Sequence, residues 1–290
     1  MTTMQLVRVF ALPGADSGGN PAPVWLGADD MSTAQMQEHT RASGHESVFV
    51  LKPSRADRHH FRMRYFVPRH EMEMCGHATI GALWLLHERG LWNGEPVAIE
   101  TLSGTVEGRY VQGTVEISQP SAEVQVVSDA LVQEIARCLG VEMRQIVGPV
   151  LNAATSRVKT LIRLESLDAL HSLRVDLPSV ESLCDRLGST GLYPYALAEI
   201  SGRVVSARQF PRSSGYPEDA ATGIAAAALA WGLRQQALAG DAETLVTVRQ
   251  GEAMGSPSMI GVRLPARGQE AQGCWLRGEA RAMALRRPAA

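Results

Sequence analysis

The sequence predicts an α+β chain built around a strand–turn–helix arrangement that occurs twice. Two observations carry this. Short apolar runs bounded by turn residues recur along the chain. Two polar, glycine-containing turns, EMEMCGHAT at residues 71–79 and PEDAATG at residues 217–223, each lead into an apolar, alanine-bearing helix. A length of 290 residues suits two compact lobes or one large α/β domain.

In chain order, VRVFAL reads as a strand, and DSGGNPAPVWL as a turn feeding a second strand through Val24 and Leu26. MSTAQMQEHT carries helix formers with Ser32 as the cap. ESVFVLKP and FRMRYFVP form a strand pair around the polar turn at Asp57. Residues 76–86 are the buried helix of the first half: Ala78, Leu83, Leu85 and Leu86 favour helix or burial, while Gly81 and Ala82 admit close neighbouring strands. GLWNGEPVAIETLSGTVEGRYV returns to strands and turns. After Pro120 the alternation weakens. LVQEIARCLG gives a short helix ending at Gly140, and residues 146–177 are expected to hold strands, VKTLIRL among them. PSVESLCDRL is a helix, and RVVSARQF is a strand leading to the second alanine-rich helix. The expected division is residues 1–122 and 123–290.

Composition excludes several classes. The chain is 45% hydrophobic and 20% charged with a formal charge of -2, so it lacks a basic nucleic-acid footprint. Arg55, Arg58, Arg62 and Arg64 make a local basic run that reads as a solvated strand edge. The N-terminus lacks the pattern of a signal peptide, and no apolar segment approaches the roughly 20 residues of a membrane span. A cytoplasmic protein, with neither membrane nor nucleic acid as partner, is expected. Cys75, Cys138, Cys184 and Cys274 show no compact metal-ligand spacing and are expected to be reduced structural thiols, with no metal bound. His59 and His60 are expected at the surface. GxGxxG, GxxxxGK[ST] and GxSxG are absent, which removes the sequence support for nicotinamide, P-loop and serine-hydrolase readings.

The two helix starts are the candidate chemistry. A first helical turn exposes unpaired N–H groups and partial positive charge. Gly76-His77-Ala78-Thr79 and Thr222-Gly223-Ile224 are therefore candidates to hold a carboxylate and stabilise an adjacent anion. The alternative is that each glycine only permits tight packing. On residue chemistry alone, a non-catalytic small-acid binding protein stays open.

Five separated segments, in order, carry a resemblance: GNPAPV, GHESVFV, EMEMCGHATIGA, RQFPRSSGYPEDAATGIAAAALA and QGEAMGSPSMI. Together the chain resembles the phenazine-biosynthesis isomerase (PhzF-like) family, within the diaminopimelate epimerase fold; the likeness is weaker between Pro120 and Arg203. The resemblance implies two similar lobes, each a curled mixed β-sheet around a central helix, with the site in the cleft between them. It also implies a cofactor-free, often homodimeric enzyme of secondary metabolism, antibiotic biosynthesis included. Such an enzyme moves a proton and double bond within a small cyclic unsaturated or amino carboxylic acid. Glu46 matches the family's base, with His77 and Asp219 orienting substrate and stabilising shifted charge. Gly76 and Gly223 would present helix-start amides, Thr222 a hydroxyl, and Asn20 a rim or turn contact.

Three departures touch the pocket. MEMCGHA stands where LPFAGHP is common, Ile224 replaces a serine, and Ser256 replaces an arginine. A related C–C bond hydrolase or lyase with the same acid–base layout is the alternative. MCGH also resembles the first cysteine motif of proline racemases, where a helix start favours the thiolate. Anchoring on Thr222-Gly223, however, puts Ala220 and Ala221 where a second thiol is required, so an amino-acid racemase or epimerase is disfavoured.

Overall fold

A computed structural model describes residues 2–12, 14–15, 17–199, 201, 203–213 and 216–283. The chain divides into two compact units: Met1–Ala15, Gly19–Ser118 and Arg277–Ala290 form one, Asp16–Gly18 and Gln119–Leu276 the other.

The first unit runs β1 (Thr3–Val9), β2 (Asn20–Leu26), α1 (Thr33–Ser43), β3 (Ser47–Leu51), β4 (Phe61–Val67), β5 (His70–Met72), α2 (Gly76–Glu88), β6 (Val97–Thr101), β7 (Gly104–Val111) and β8 (Thr114–Gln119). The second runs β9 (Glu123–Val126), α3 (Asp129–Leu139), β10 (Leu151–Ala154), β11 (Val158–Arg163), α4 (Leu167–His171), α5 (Leu177–Leu187), β12 (Gly191–Leu197), β13 (Val204–Ala207), β14 (Phe210–Pro211), α6 (Gly223–Gln235), β15 (Thr244–Gln250), β16 (Ser258–Leu264) and β17 (Cys274–Gly278). β18 (Ala280–Ala282) pairs antiparallel with β1, so the C-terminal segment belongs with the first unit. That pairing, and a crossing at Ser118/Gln119, is how the observed division differs from the expected 122/123 boundary.

The two units repeat one pairing pattern. In the first, β1–β2 is antiparallel, β2–β3 parallel, β3–β4 antiparallel, β4–β6 parallel and β6–β7 antiparallel. In the second, β10–β11, β11–β12, β12–β13, β13–β15 and β15–β16 follow the same order of senses. Ser47 and Gly191, which open β3 and β12, thus hold equivalent places. So do α2 and α6, each 13 residues long and each starting with glycine.

Both helices are buried on almost every side, as a helix enclosed by its own sheet must be. α2 packs on β1, β2, β3 and β18, and α6 on β9, β10, β11 and β16. Gly81 lets α2 approach: a Cβ there would stand 3.1 Å from Val9 Cγ2. Gly232 does the same in α6, where a Cβ would fall 2.4 Å from Leu161 Cδ1. The opposite face of the second sheet is covered by α3 and α5, whose Ile135, Leu139, Leu183 and Leu187 join Ile162, Leu192 and Phe210 in one apolar cluster. α1 starts where expected, with a capping box between Ser32 and Gln35, and stops at Gly44 in the left-handed conformation.

Several sequence readings need correction. The opening strand ends at Val9, because Phe10 takes a left-handed φ of 63°. Residues 146–177 include a short helix, α4, capped by Ser166, whose side chain accepts from the Ala169 N–H. RVVSARQF splits into β13 and β14. Arg62 and Arg64 of the basic run face carboxylates, at 3.7 Å from Glu100 and 2.7 Å from Glu71. No helix among the described residues is long and apolar enough to cross a membrane.

Candidate active site

In the first unit the chain brings together three groups. Glu46 is half-buried immediately before β3, while Cys75 and His77 are buried at the start of α2. Cys75 is the N-cap of α2 but makes no side-chain cap bond. Its thiol instead donates to Glu46 Oε2 at 3.2 Å and meets His77 Nδ1 at 3.3 Å. His77 Nδ1 lies 3.6 Å from the same Glu46 oxygen. With the thiol proton directed at the carboxylate, sulfur is left to accept from a protonated Nδ1. His77 Nε2 is buried without a hydrogen-bond partner, which leaves it as an acceptor in that tautomer.

The helix start is held from below. Thr79 Oγ1 donates to the Cys75 carbonyl at 2.8 Å, so the Tyr65 hydroxyl, 2.8 Å away, donates to Thr79. Gly76, His77 and Ala78 occupy the first turn, whose N–H groups have no intrahelical acceptor. His45, next to Glu46, has its pKa lowered by burial and then by His77.

Of the four free cysteines, burial raises Cys138 and Cys184 to about 11 and Cys274 to about 12. Those three are inert structural thiols, as expected. Cys75 is set apart by its carboxylate and imidazole neighbours. The sequence reading gave it only a shaping role, because the bond to Glu46 spans 29 positions that only the fold closes.

In the second unit, Thr222 takes the N-cap place that Cys75 holds in the first. This corrects the sequence register, which put Ala220 and Ala221 there; the counterpart of the thiol is a hydroxyl. Thr222 Oγ1 donates to Asp219 Oδ2 at 2.5 Å. Both helix starts therefore pair a short donor side chain with a carboxylate. The neighbouring acid is spent elsewhere: Glu218 is clamped by Arg208 through bonds of 2.9 and 2.8 Å. A Cβ on Gly223 would meet Leu276 Cδ2 at 2.6 Å, so this glycine serves packing as well as the open helix start. Asn20 opens β2, paired with Val9.

Gln250 was not read from sequence and organises this turn. Fully buried, it donates to the Asp219 carbonyl at 2.7 Å and to Thr222 Oγ1 at 3.1 Å, and accepts from Tyr193 at 2.8 Å. Replacing Gln250 by leucine strands the buried Tyr193 hydroxyl and frees the turn, and is expected to cost about 3 kcal/mol. The urea midpoint checks this. Lys159 was also missed. It shares the α6 face of β11 with Leu161, and its Nζ reaches the Thr190 carbonyl at 3.5 Å. Thr190 immediately precedes β12, the place Glu46 has before β3.

Repeated mixed sheets around glycine-started helices place the chain in the diaminopimelate epimerase-like α+β fold class. The family described as phenazine biosynthesis-like protein matches residues 9–285, and the chain belongs to that family. It is a PhzF-type enzyme, an isomerase of that family. An uncharacterized isomerase of Deinococcus radiodurans is 33% identical over 281 residues, covering 92% of this chain and 88% of the relative. The trans-2,3-dihydro-3-hydroxyanthranilate isomerase of Pseudomonas fluorescens is 27% identical over 268 residues, covering 91% of each. A Bacillus anthracis phenazine biosynthesis protein of the PhzF family superposes with a TM-score of 0.85 at 23% identity, over 98% of each chain.

Proposed function

We propose that the enzyme shifts a proton and a double bond within a small cyclic unsaturated or amino carboxylic acid of secondary metabolism, with Glu46 as the base. The convergence of Glu46, Cys75 and His77 at the open start of α2 carries this reading. Both contacts to the carboxylate fall on Oε2, so Oε1 is the oxygen assigned to the substrate proton. His77, whose Nδ1 lies beside the Glu46 carboxylate, is assigned to orienting the substrate and stabilising shifted charge. The amides of Gly76 and Gly223 are assigned to its oxygens, Asp219 to protonation with Thr222 orienting it, and Asn20 to the rim. The name of the Pseudomonas fluorescens relative supports a cyclic unsaturated amino acid as the substrate class. The homodimer implied by the resemblance belongs to the same reading.

A two-thiol racemase is disfavoured because the position equivalent to Cys75 is Thr222. Product analysis on a panel of dihydroaromatic and cyclic enamine acids tests the proposal. A product of unchanged mass and shifted absorbance is expected; fragments would favour the C–C hydrolase or lyase alternative.

Cys75→Ala removes one weak donor from Glu46 and leaves the base in place. A fall in kcat of about fivefold is expected, the worth of about 1 kcal/mol of hydrogen bonding. Complete loss of turnover in a folded variant that still binds substrate analogues would assign the chemistry to the thiol instead.

A further inference from the structure

Three ligand-type atoms meet at the start of α2, and the acid–base reading uses them only for protons. Cys75 Sγ, His77 Nδ1 and Glu46 Oε2 form a triangle with edges of 3.2, 3.3 and 3.6 Å. A tetrahedral zinc ion with bonds of about 2.0–2.3 Å to nitrogen, oxygen and sulfur spaces its ligands about 3.3–3.6 Å apart. The three atoms thus already stand near the spacing of one face of a zinc tetrahedron, and side-chain rotations of a few tenths of an ångström close the difference.

We propose that Glu46, Cys75 and His77 form a reversible, inhibitory site for a soft divalent cation of the zinc type. The ion takes the thiolate, His77 Nδ1 and one carboxylate oxygen; the thiol proton leaves to solvent and the Nδ1 proton passes to Nε2. Two anionic ligands neutralise the charge of the ion, so the buried site holds no uncompensated charge. The fourth position falls to water, because Glu46 keeps 32% of its side chain exposed while His77 keeps 7%. Three protein ligands and one open position form an exchangeable site rather than a closed structural one.

The surroundings also argue for reversibility. A resident metal's histidine donates its second ring N–H to a carboxylate, carbonyl or water. His77 Nε2 has no such partner. The ion therefore competes with the proton chemistry and does not serve it. The inhibitory half of this proposal rests on the assignment of Glu46 and His77 to catalysis; the binding half does not.

Cobalt titration of the chelator-treated full chain is the test. One equivalent of Co2+ is expected to saturate a near-ultraviolet thiolate charge-transfer band with four-coordinate visible bands, and Zn2+ is expected to displace it. Cys75→Ser abolishes the charge-transfer band although Cys138, Cys184 and Cys274 remain. Glu46→Gln weakens Co2+ binding by at least about tenfold, since even outer-shell changes cost that much. No charge-transfer band in the wild type, or a band that survives in Cys75→Ser, overturns the proposal. Should Cys75→Ser not fold, alkylation of wild-type Cys75 by iodoacetamide, located by peptide mass, gives the answer: Zn2+ protects it if the site is real, and equal labelling with and without Zn2+ overturns it. Turnover of an identified substrate that persists with Zn2+ bound removes the inhibitory half alone.

Discussion

Glu46→Gln is expected to lower kcat by about a hundred- to ten-thousand-fold, the range that a positioned general base supplies. The amide keeps the shape and the oxygen that accepts from Cys75, so the contact at 3.2 Å has an isosteric replacement. What it loses is proton affinity. Glu46 is only half-buried, so a change in folding stability within about 0.5 kcal/mol is expected. Binding of an unreactive substrate analogue should survive, which separates lost chemistry from lost binding. Steady-state kinetics with calorimetric binding make the check, and near-normal turnover would remove Glu46 from the base position.

Lys159→Met is expected to stabilise the protein by about 3 kcal/mol at pH 7. Lys159 is 4% exposed, and burial pushes its pKa down from 10.5 to about 8, with Asp219 pulling weakly the other way. Each unit of that depression corresponds to about 1.36 kcal/mol between the protonation states. The sign follows from proton counts: between pH 8 and 10.5 the unfolded chain holds more protons at this site than the folded one. Lys159 therefore makes stability rise with pH across that window, carries its full cost below pH 8, and carries none above 10.5. Methionine fills nearly the same volume without the charge. Urea unfolding of both proteins at pH 7 and pH 10.5 should show an advantage that shrinks as the pH rises. An equal difference at both pH values would place the ammonium in a solvated setting.

The elements were legible where local chemistry decides them. Ser32 caps α1, Gly140 ends α3, and the two glycine-led starts open the central helices as the residues alone suggested. The contact of Cys75 with Glu46 was not legible, because it joins residues of two different elements across 29 positions. The same holds for Gln250, whose amide ties a strand end to the Asp219 turn across 31 positions. Glu218 and Asp219 are chemically alike in sequence and part company only once Arg208 takes one of them. Lys159 looks like the outward residue of an alternating strand, and only the cover of α6 shows that its face points inward.

Proton transfer to carbon by Glu46 is the central claim, and one measurement addresses it directly. The enzyme is incubated in heavy water with a dihydroaromatic or cyclic enamine acid, and the product is read by mass spectrometry and proton NMR. The expected result is an isomerised product carrying deuterium at the newly protonated carbon, formed by the wild type and not by Glu46→Gln. An isomerised, deuterated product formed equally well by Glu46→Gln would contradict the account.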